Sequence, residues 1–191
     1  GNTPYYTELV YHLALAGCET YLFWNPHPWR ENQDPESLSP ARAEHLLDEW
    51  VFPVCSPALL ARLGPIDTLA DFARYPLLHS RAEPWPHWLR RVGGDTTRTD
   101  TLPQPEDASV TLAAVEQGKG VALARWSLVA ADLAAGRLVR PMMPSVQQQG
   151  AWFLVAPPDH FSLPKVVRFR AWLVECCREF PPPTGETLPA E

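Results

Sequence analysis

Between Asp107 and Ala124 the sequence changes periodicity across three residues. Apolar side chains at Val110, Leu112, Ala113, Ala114 and Val115 form a helical stripe headed by Asp107-Ala108-Ser109. Gly118-Lys119-Gly120 then breaks it, and Val121-Ala122-Leu123-Ala124 follows as a short strand. Similar units flank this one. Trp50 to Val54 is strand-like, and Ser56-Pro57 starts a short helix that runs through Leu63 and stops at Gly64-Pro65. Thr68 to Phe72 makes a brief helical turn, Pro76 to His79 a buried-looking strand, and Pro86 to Val92 another short helix. Ser127 to Ala135 is helical and ends at Gly136, followed by a short strand at Leu138-Val139-Arg140. Trp152 to Val155 is a further strand. Lys165 to Cys177 is an amphipathic helix with Val166, Phe169, Trp172, Leu173 and Cys176 on one face. Short strands alternating with helices specify an α/β layer fold.

The first 40 residues read differently. Tyr5 to Ala16 carries a helical stripe through Leu9, Val10, Leu13 and Ala16, closed by Gly17. Thr20 to Trp24 is an aromatic strand stopped by Asn25-Pro26, and a polar, proline-rich loop runs on to Pro40. The 22 prolines mostly punctuate short elements. The exception is the polar end from Pro181-Pro182-Pro183 onward, which predicts an exposed, poorly ordered tail over 181–191.

A net charge of −6, with 16 Lys plus Arg against 22 Asp plus Glu, makes the chain a poor match for a phosphate backbone. Short basic clusters such as Arg90-Arg91 read as solvated helix faces. Cys18, Cys55, Cys176 and Cys177 show no CxxC or CxxH spacing, so they read as reduced, small apolar residues of a cytosolic protein rather than zinc ligands. The six histidines lack metal-ligand spacing. No metal or cofactor is expected, and no segment approaches a membrane span. Gly1 opens no signal peptide, and the missing initiator Met reads as the mark of a fragment.

Several stretches, in order, resemble the effector (substrate)-binding domains of LysR-type transcriptional regulators, in their GcvA- and AmpR-like branch. They are Ala43 to Glu49, Phe52 to Leu60, Leu77-Leu78-His79 with Trp85 and Trp88-Leu89, and Leu112 to Arg125. Asp132 to Pro141 and Phe169-Arg170-Ala171-Trp172-Leu173 complete the set. The resemblance covers some 140 residues from about Ala41 to Phe180 and implies a type 2 periplasmic-binding-protein-like fold, two α/β subdomains hinged around a cleft. By analogy, residues 1–53 are an atypical N-terminal part of subdomain I, 54–146 form subdomain II, and 147–180 return to complete subdomain I. Residues 1–40 do not match. The acidic Asp-Leu-Ala-Ile-Arg-like run that ends the family's opening strands is missing there, so the first subdomain and its half of the cleft are incomplete by this reading.

Six residues are the candidate ligand contacts. Asp107 and Ser109 sit at a helix N-terminus, where unpaired N–H groups and the dipole suit an anion, and where either side chain also serves as a cap. His79 and Ser80 end a strand at a position that commonly faces effector in the family. A His bonded to neighbouring backbone is the rival reading. Arg125 suits an effector carboxylate or a salt bridge. Trp152 lies on the strand where family members often place an aromatic against ligand, or it packs structurally. Gly118-Lys119-Gly120 stops a helix rather than cradling phosphate, because the strand–loop–helix order of a P-loop is reversed. Trp85, Trp88, Trp126, Trp152 and Trp172 read mostly as core, since interleaved basic residues for base stacking are missing. Cys55-Ser56 sits at a strand-to-helix turn without the Gly-x-Ser-x-Gly elbow of a hydrolase.

The resemblance implies a non-enzymatic sensor that binds a small, anionic metabolite between two subdomains. Transcription would be controlled through a winged helix-turn-helix domain lying outside these residues, with a homodimer as the working form and no membrane partner. Two alternatives stand beside it. One is a solute-binding protein for transport, sharing the fold. The other is a chimera with a hydrolase-derived N-terminus, for which Glu8, Glu19, Asp48 and Glu49 are the available glycosidase carboxylates.

Overall fold

The computed structural model describes residues 11–12, 21–25, 42–81, 83–96, 108–156 and 158–190. They divide into two compact units: residues 1–49 with 148–182, and residues 50–147 with 183–191.

In unit 1, β1 (Tyr11–His12) pairs antiparallel with β2 (Tyr21–Asn25), and β2 pairs antiparallel with β5 (Ser145–Ala156), Phe23 opposite Phe153 and Trp24 opposite Trp152. Tyr11 and His12 therefore belong to a strand and not to the helix expected over Tyr5 to Ala16. The other residues of that expected helix lie outside the described ones. β3 (Arg42–Val54) neighbours β5 in the strand order, and it starts well before the strand expected at Trp50. The helix α5 (Pro164–Glu179) buries Val166 and sets Phe169 and Leu173 against Leu154, Ala156 and Phe161. Trp172, expected on the packed face, is 59% exposed. Three positions advance a helix by about 300°, which sets Trp172 about 60° to one side of Phe169, away from Val166 and Leu173 and beyond the contact edge. The two rings remain in contact, centroids 5.6 Å apart. Arg170 forms a two-pronged ion pair with Glu44 of β3.

Unit 2 begins at Trp50, inside β3. Ser56 caps α1 (Pro57–Leu63), its hydroxyl accepting from the Leu59 N–H at 3.3 Å, with Pro57 in the first turn where no N–H is needed. A short 3-10 turn (Leu69–Arg74) and α2 (Trp85–Arg91) follow, then α3 (Ala108–Glu116), β4 (Ala122–Arg125) and α4 (Trp126–Ala134). β3 and β4 run antiparallel, Phe52 opposite Ala124 and Val54 opposite Ala122. The expected strands at Pro76–His79 and Leu138–Arg140 reduce to single bridges, Leu77 parallel to Val121 and Val139 antiparallel to Cys55.

Alternation along these strands divides the core. Val51, Cys55, Val121 and Leu123 join Leu59, Phe72, Trp85 and Trp88 on one face. Phe52, Val54, Ala122 and Ala124 join Val115 and Val129 on the other. With both faces covered by helices, β4 reads as a continuous apolar run rather than an alternating one. Phe72, Trp85 and Trp88 make three edge-to-face contacts with centroids 5.4–6.1 Å apart. After α3, Gly118 adopts φ 71°, and the Gly118 and Lys119 N–H groups bond Val115 O and Ala114 O. This is the helix stop that the Gly-Lys-Gly sequence predicts.

The expectation of a poorly ordered tail meets a different finding. β6 (Thr187–Leu188) pairs with the start of β5. Its ladder is made by main-chain groups, to which side-chain periodicity gives no clue.

Candidate functional site

Three elements of unit 2 converge at one edge of its sheet. Because Leu77 bridges Val121 in parallel, the chain beyond Leu77 and the end of β4 emerge on the same side. That is where open α/β sheets place their ligands. The Leu78 N–H donates to Val121 O at 2.8 Å, the Val121 N–H to Pro76 O at 2.9 Å, and Trp85 Nε1 to Leu78 O at 2.9 Å. Gly120 makes this approach possible, since a Cβ there would lie 2.5 Å from Pro76 O. The third element is the first turn of α3, whose Thr111 hydroxyl donates to His79 O at 3.5 Å.

His79 and Ser80 follow directly, 4% and 3% exposed. Neither ring nitrogen of His79 has a hydrogen-bond partner, so the rival reading of a His satisfied by local backbone does not describe its ring. Desolvation lowers its pKa from the usual 6.5, which favours the neutral imidazole. A neutral imidazole offers one donor and one acceptor. Leaving such groups buried and unmatched costs about 1–3 kcal/mol each, a deficit that a polar ligand would remove.

Arg125 ends β4 and leads into α4. Its Nε donates to Glu83 Oε1 at 2.5 Å with both side chains buried, and the Ser80 hydroxyl donates to Glu83 Oε2 at 3.4 Å. Of the two readings open for Arg125, the salt bridge is the one found. Glu83 was not singled out in the sequence. No local motif marks it, because its partner Arg125 lies 42 residues away.

The remaining candidates fall elsewhere. Ser109 is exposed on α3, two positions before Thr111, and Asp107 lies outside the described residues. Trp152 belongs to unit 1, half-buried, its Nε1 donating to Glu49 Oε2 at 2.9 Å. Glu49 itself is fully buried on β3. Thus His79, Ser80 and Arg125 come together with Glu83 and Thr111 within unit 2, while Trp152 forms a separate polar contact within unit 1. Among the described residues no three His, Cys, Asp or Glu side chains gather as metal ligands, and no helix is long and apolar enough to cross a membrane.

The LysR substrate binding domain family matches residues 32–178. The chain belongs to that family. The match starts at residue 32, ahead of the boundary drawn near Ala41. This LysR substrate-binding domain is 33% identical over 134 residues to the glycine cleavage system transcriptional activator of Escherichia coli K12. That alignment covers 70% of this chain and 44% of the relative, so the domain spans less than half of that relative. Among solved structures it is similar to the AmpR effector domain of Pseudomonas aeruginosa, with TM-score 0.63, 25% identity, and 83% and 72% of the two chains covered. The AmpR effector binding domain of Citrobacter freundii gives TM-score 0.65 at 23% identity, covering 84% and 74%. The fold is thus the type 2 periplasmic-binding-protein-like fold of LysR effector domains, as the α/β alternation and the ordered stretches led one to expect.

Proposed function

We propose that this domain is the sensing part of a bacterial LysR-type transcriptional regulator and that it binds a small anionic metabolite at the sheet edge formed by His79, Ser80 and α3. The observation that carries the reading is the His79 ring, buried with both nitrogens unmatched in the place where this fold class takes ligands. Arg125 is committed to Glu83. The attraction for an anion therefore comes from the imidazole and from the N–H groups and dipole of the first turn of α3, with Ser109 and Asp107 as its flanking polar groups. Trp152, on β5 in unit 1, is a further candidate contact in its own right.

The domain acts by binding, without catalysis and without a cofactor. Effector shifts the equilibrium between conformations of the two units, and a separate winged helix-turn-helix domain reads the DNA. The regulator works in the cytoplasm as a homodimer. Family membership supports these points, and the exposed Trp172 and Val167 on α5 supply apolar surface for association. The boundaries we propose for the subdomains are 1–53 with 147–180 for the first and 54–146 for the second.

Thermal unfolding of the domain with a panel of amino acids and small dicarboxylates tests the reading. At least one acid should raise the midpoint in a concentration-dependent way, and His79→Phe should lose most of that rise. A full response in His79→Phe would exclude this site. A panel without effect, tested alongside sequence-selective DNA binding by the domain alone, would overturn the sensor assignment.

A further inference from the structure

The polypeptide passes between the two units three times: within β3 after Glu49, within β5 after Gln147, and between Pro182 and Pro183. The third passage lies beyond the residues matched by the family, which end at 178. It carries residues 183–190 onto unit 2, where main-chain and side-chain contacts hold them.

Thr187 and Leu188 add a parallel strand beside Ser145 and Val146, and the Ser145 N–H donates to Glu186 O at 2.9 Å. Two arginines grip carbonyl oxygens of the segment. Arg140 donates from Nη1 to Thr184 O at 2.8 Å and from Nη2 to Ser145 Oγ at 2.8 Å, with its guanidinium 4.1 Å from the centroid of the Phe52 ring. Arg91 donates to Pro189 O. Leu188 packs on the core that contains Trp85 and Trp88, and Pro183 is buried. Gly185 adopts φ +91°, and a Cβ there would overlap the Met143 side chain. This is strand addition to a sheet edge, the mode by which folds capture extended peptides, with residues 183–190 of the same chain as the peptide.

We propose that residues 183–190 are a releasable strap. While docked, it closes a third connection between the units and restricts how far they can reorient. When it leaves unit 2, only the two strand passages remain. Two features suit it to that role. A two-residue parallel ladder is a weak pairing, so the docked state can open without unfolding the core. The run Pro181-Pro182-Pro183 favours an extended, semi-rigid course, so the link from α5 transmits restraint instead of absorbing it. The inference rests on the division into units and on the docking contacts, and its test uses no effector, so it stands or falls apart from the sensor reading.

Spin labels placed on exposed Cys176 of α5 in unit 1 and on Ala61→Cys of α1 in unit 2, in a Cys18→Ser and Cys177→Ser background, report the separation of the units by pulsed electron resonance. Three chains are compared: the labelled parent, a chain ending at Pro182, and full-length Leu188→Asp, which keeps every backbone group but puts a charge against the core. Both altered chains should broaden the distance distribution while their far-ultraviolet circular dichroism stays that of the parent. If the shortened chain does not fold, Leu188→Asp decides alone. Amide exchange at Ser145 reads docking directly, and Leu188→Asp should speed it by at least about tenfold. Equal exchange at Ser145 in parent and Leu188→Asp, or one distance distribution common to all folded chains, overturns the proposal.

Discussion

Glu83 and Arg125 stand 42 residues apart in the sequence, yet Arg125 Nε lies 2.5 Å from Glu83 Oε1 with both residues at or below 6% exposure. The pair ties the segment carrying His79 and Ser80 to the end of β4. Losing one member strands the other in a dry environment, at a cost of about 3–5 kcal/mol. Replacing both by apolar groups of similar size is far milder. Arg125→Met and Glu83→Leu should each lower stability in urea unfolding by about 3 kcal/mol or more, and the double change should lose less than either alone. Additive losses would show that the ion pair is not what couples these positions.

Burial holds the His79 pKa below its ordinary 6.5. The unfolded chain therefore takes up a proton there at a higher pH than the folded chain does. Stability falls as pH drops below about 6.5, and the fall from this group ends once pH is below the folded-state value. His79→Phe should flatten this part of the profile when urea midpoints are compared between about pH 8 and about pH 5.5. An unchanged acid slope in His79→Phe would assign the effect to other groups.

Gly120 has no room for a side chain: a Cβ would lie 2.5 Å from Pro76 O and 2.8 Å from Leu78 Cγ. Pro76 O is an acceptor for the Val121 N–H, so it cannot retreat without breaking the bridge. Gly120→Ala should cost roughly 1–3 kcal/mol by thermal or urea unfolding, the range for forced overpacking. It should also speed amide exchange at Leu78 and Val121.

Desolvation pushes the Cys55 thiol up to about 11, so almost no thiolate exists near neutral pH and reagents cannot reach the buried sulfur. Iodoacetamide at about pH 8 should modify exposed Cys176 in the native chain and leave Cys55 intact until denaturant is added. Peptide mass spectrometry reads both sites at once. Rapid native labelling of Cys55 would mean that unit 2 opens around α1.

The parts of the fold legible in the sequence were those with a local cause. Ser56-Pro57 announces α1 because the hydroxyl and the missing N–H act within one turn. Gly118 announces the end of α3 because only a positive φ closes it there. Leu77 to His79 reads as a strand because it is apolar and extended, yet it forms a single bridge. Ladder length depends on a neighbour that composition does not reveal. Trp172 followed the apolar stripe of α5, but a stripe wider than the surface available leaves one edge in water. His79, Ser80 and Arg125 were candidates by position, and they lie together in unit 2. Glu83 was not a candidate, because a lone carboxylate in sequence is usually solvated. What turned it inward was a guanidinium supplied by a distant strand.

From β3 into Cys55 just after it, Val51 and Cys55 face one core cluster while Phe52 and Val54 face the other. Side chains alternate with a period of two, so adding or removing a single residue upstream of Val51 would send each to the opposite layer. The strand also supplies Glu49 to Trp152 just before that point. β3 is therefore a stretch of fixed length, intolerant of insertion or deletion, and variation in length among related chains belongs in the connections, such as the one at Gly64-Pro65.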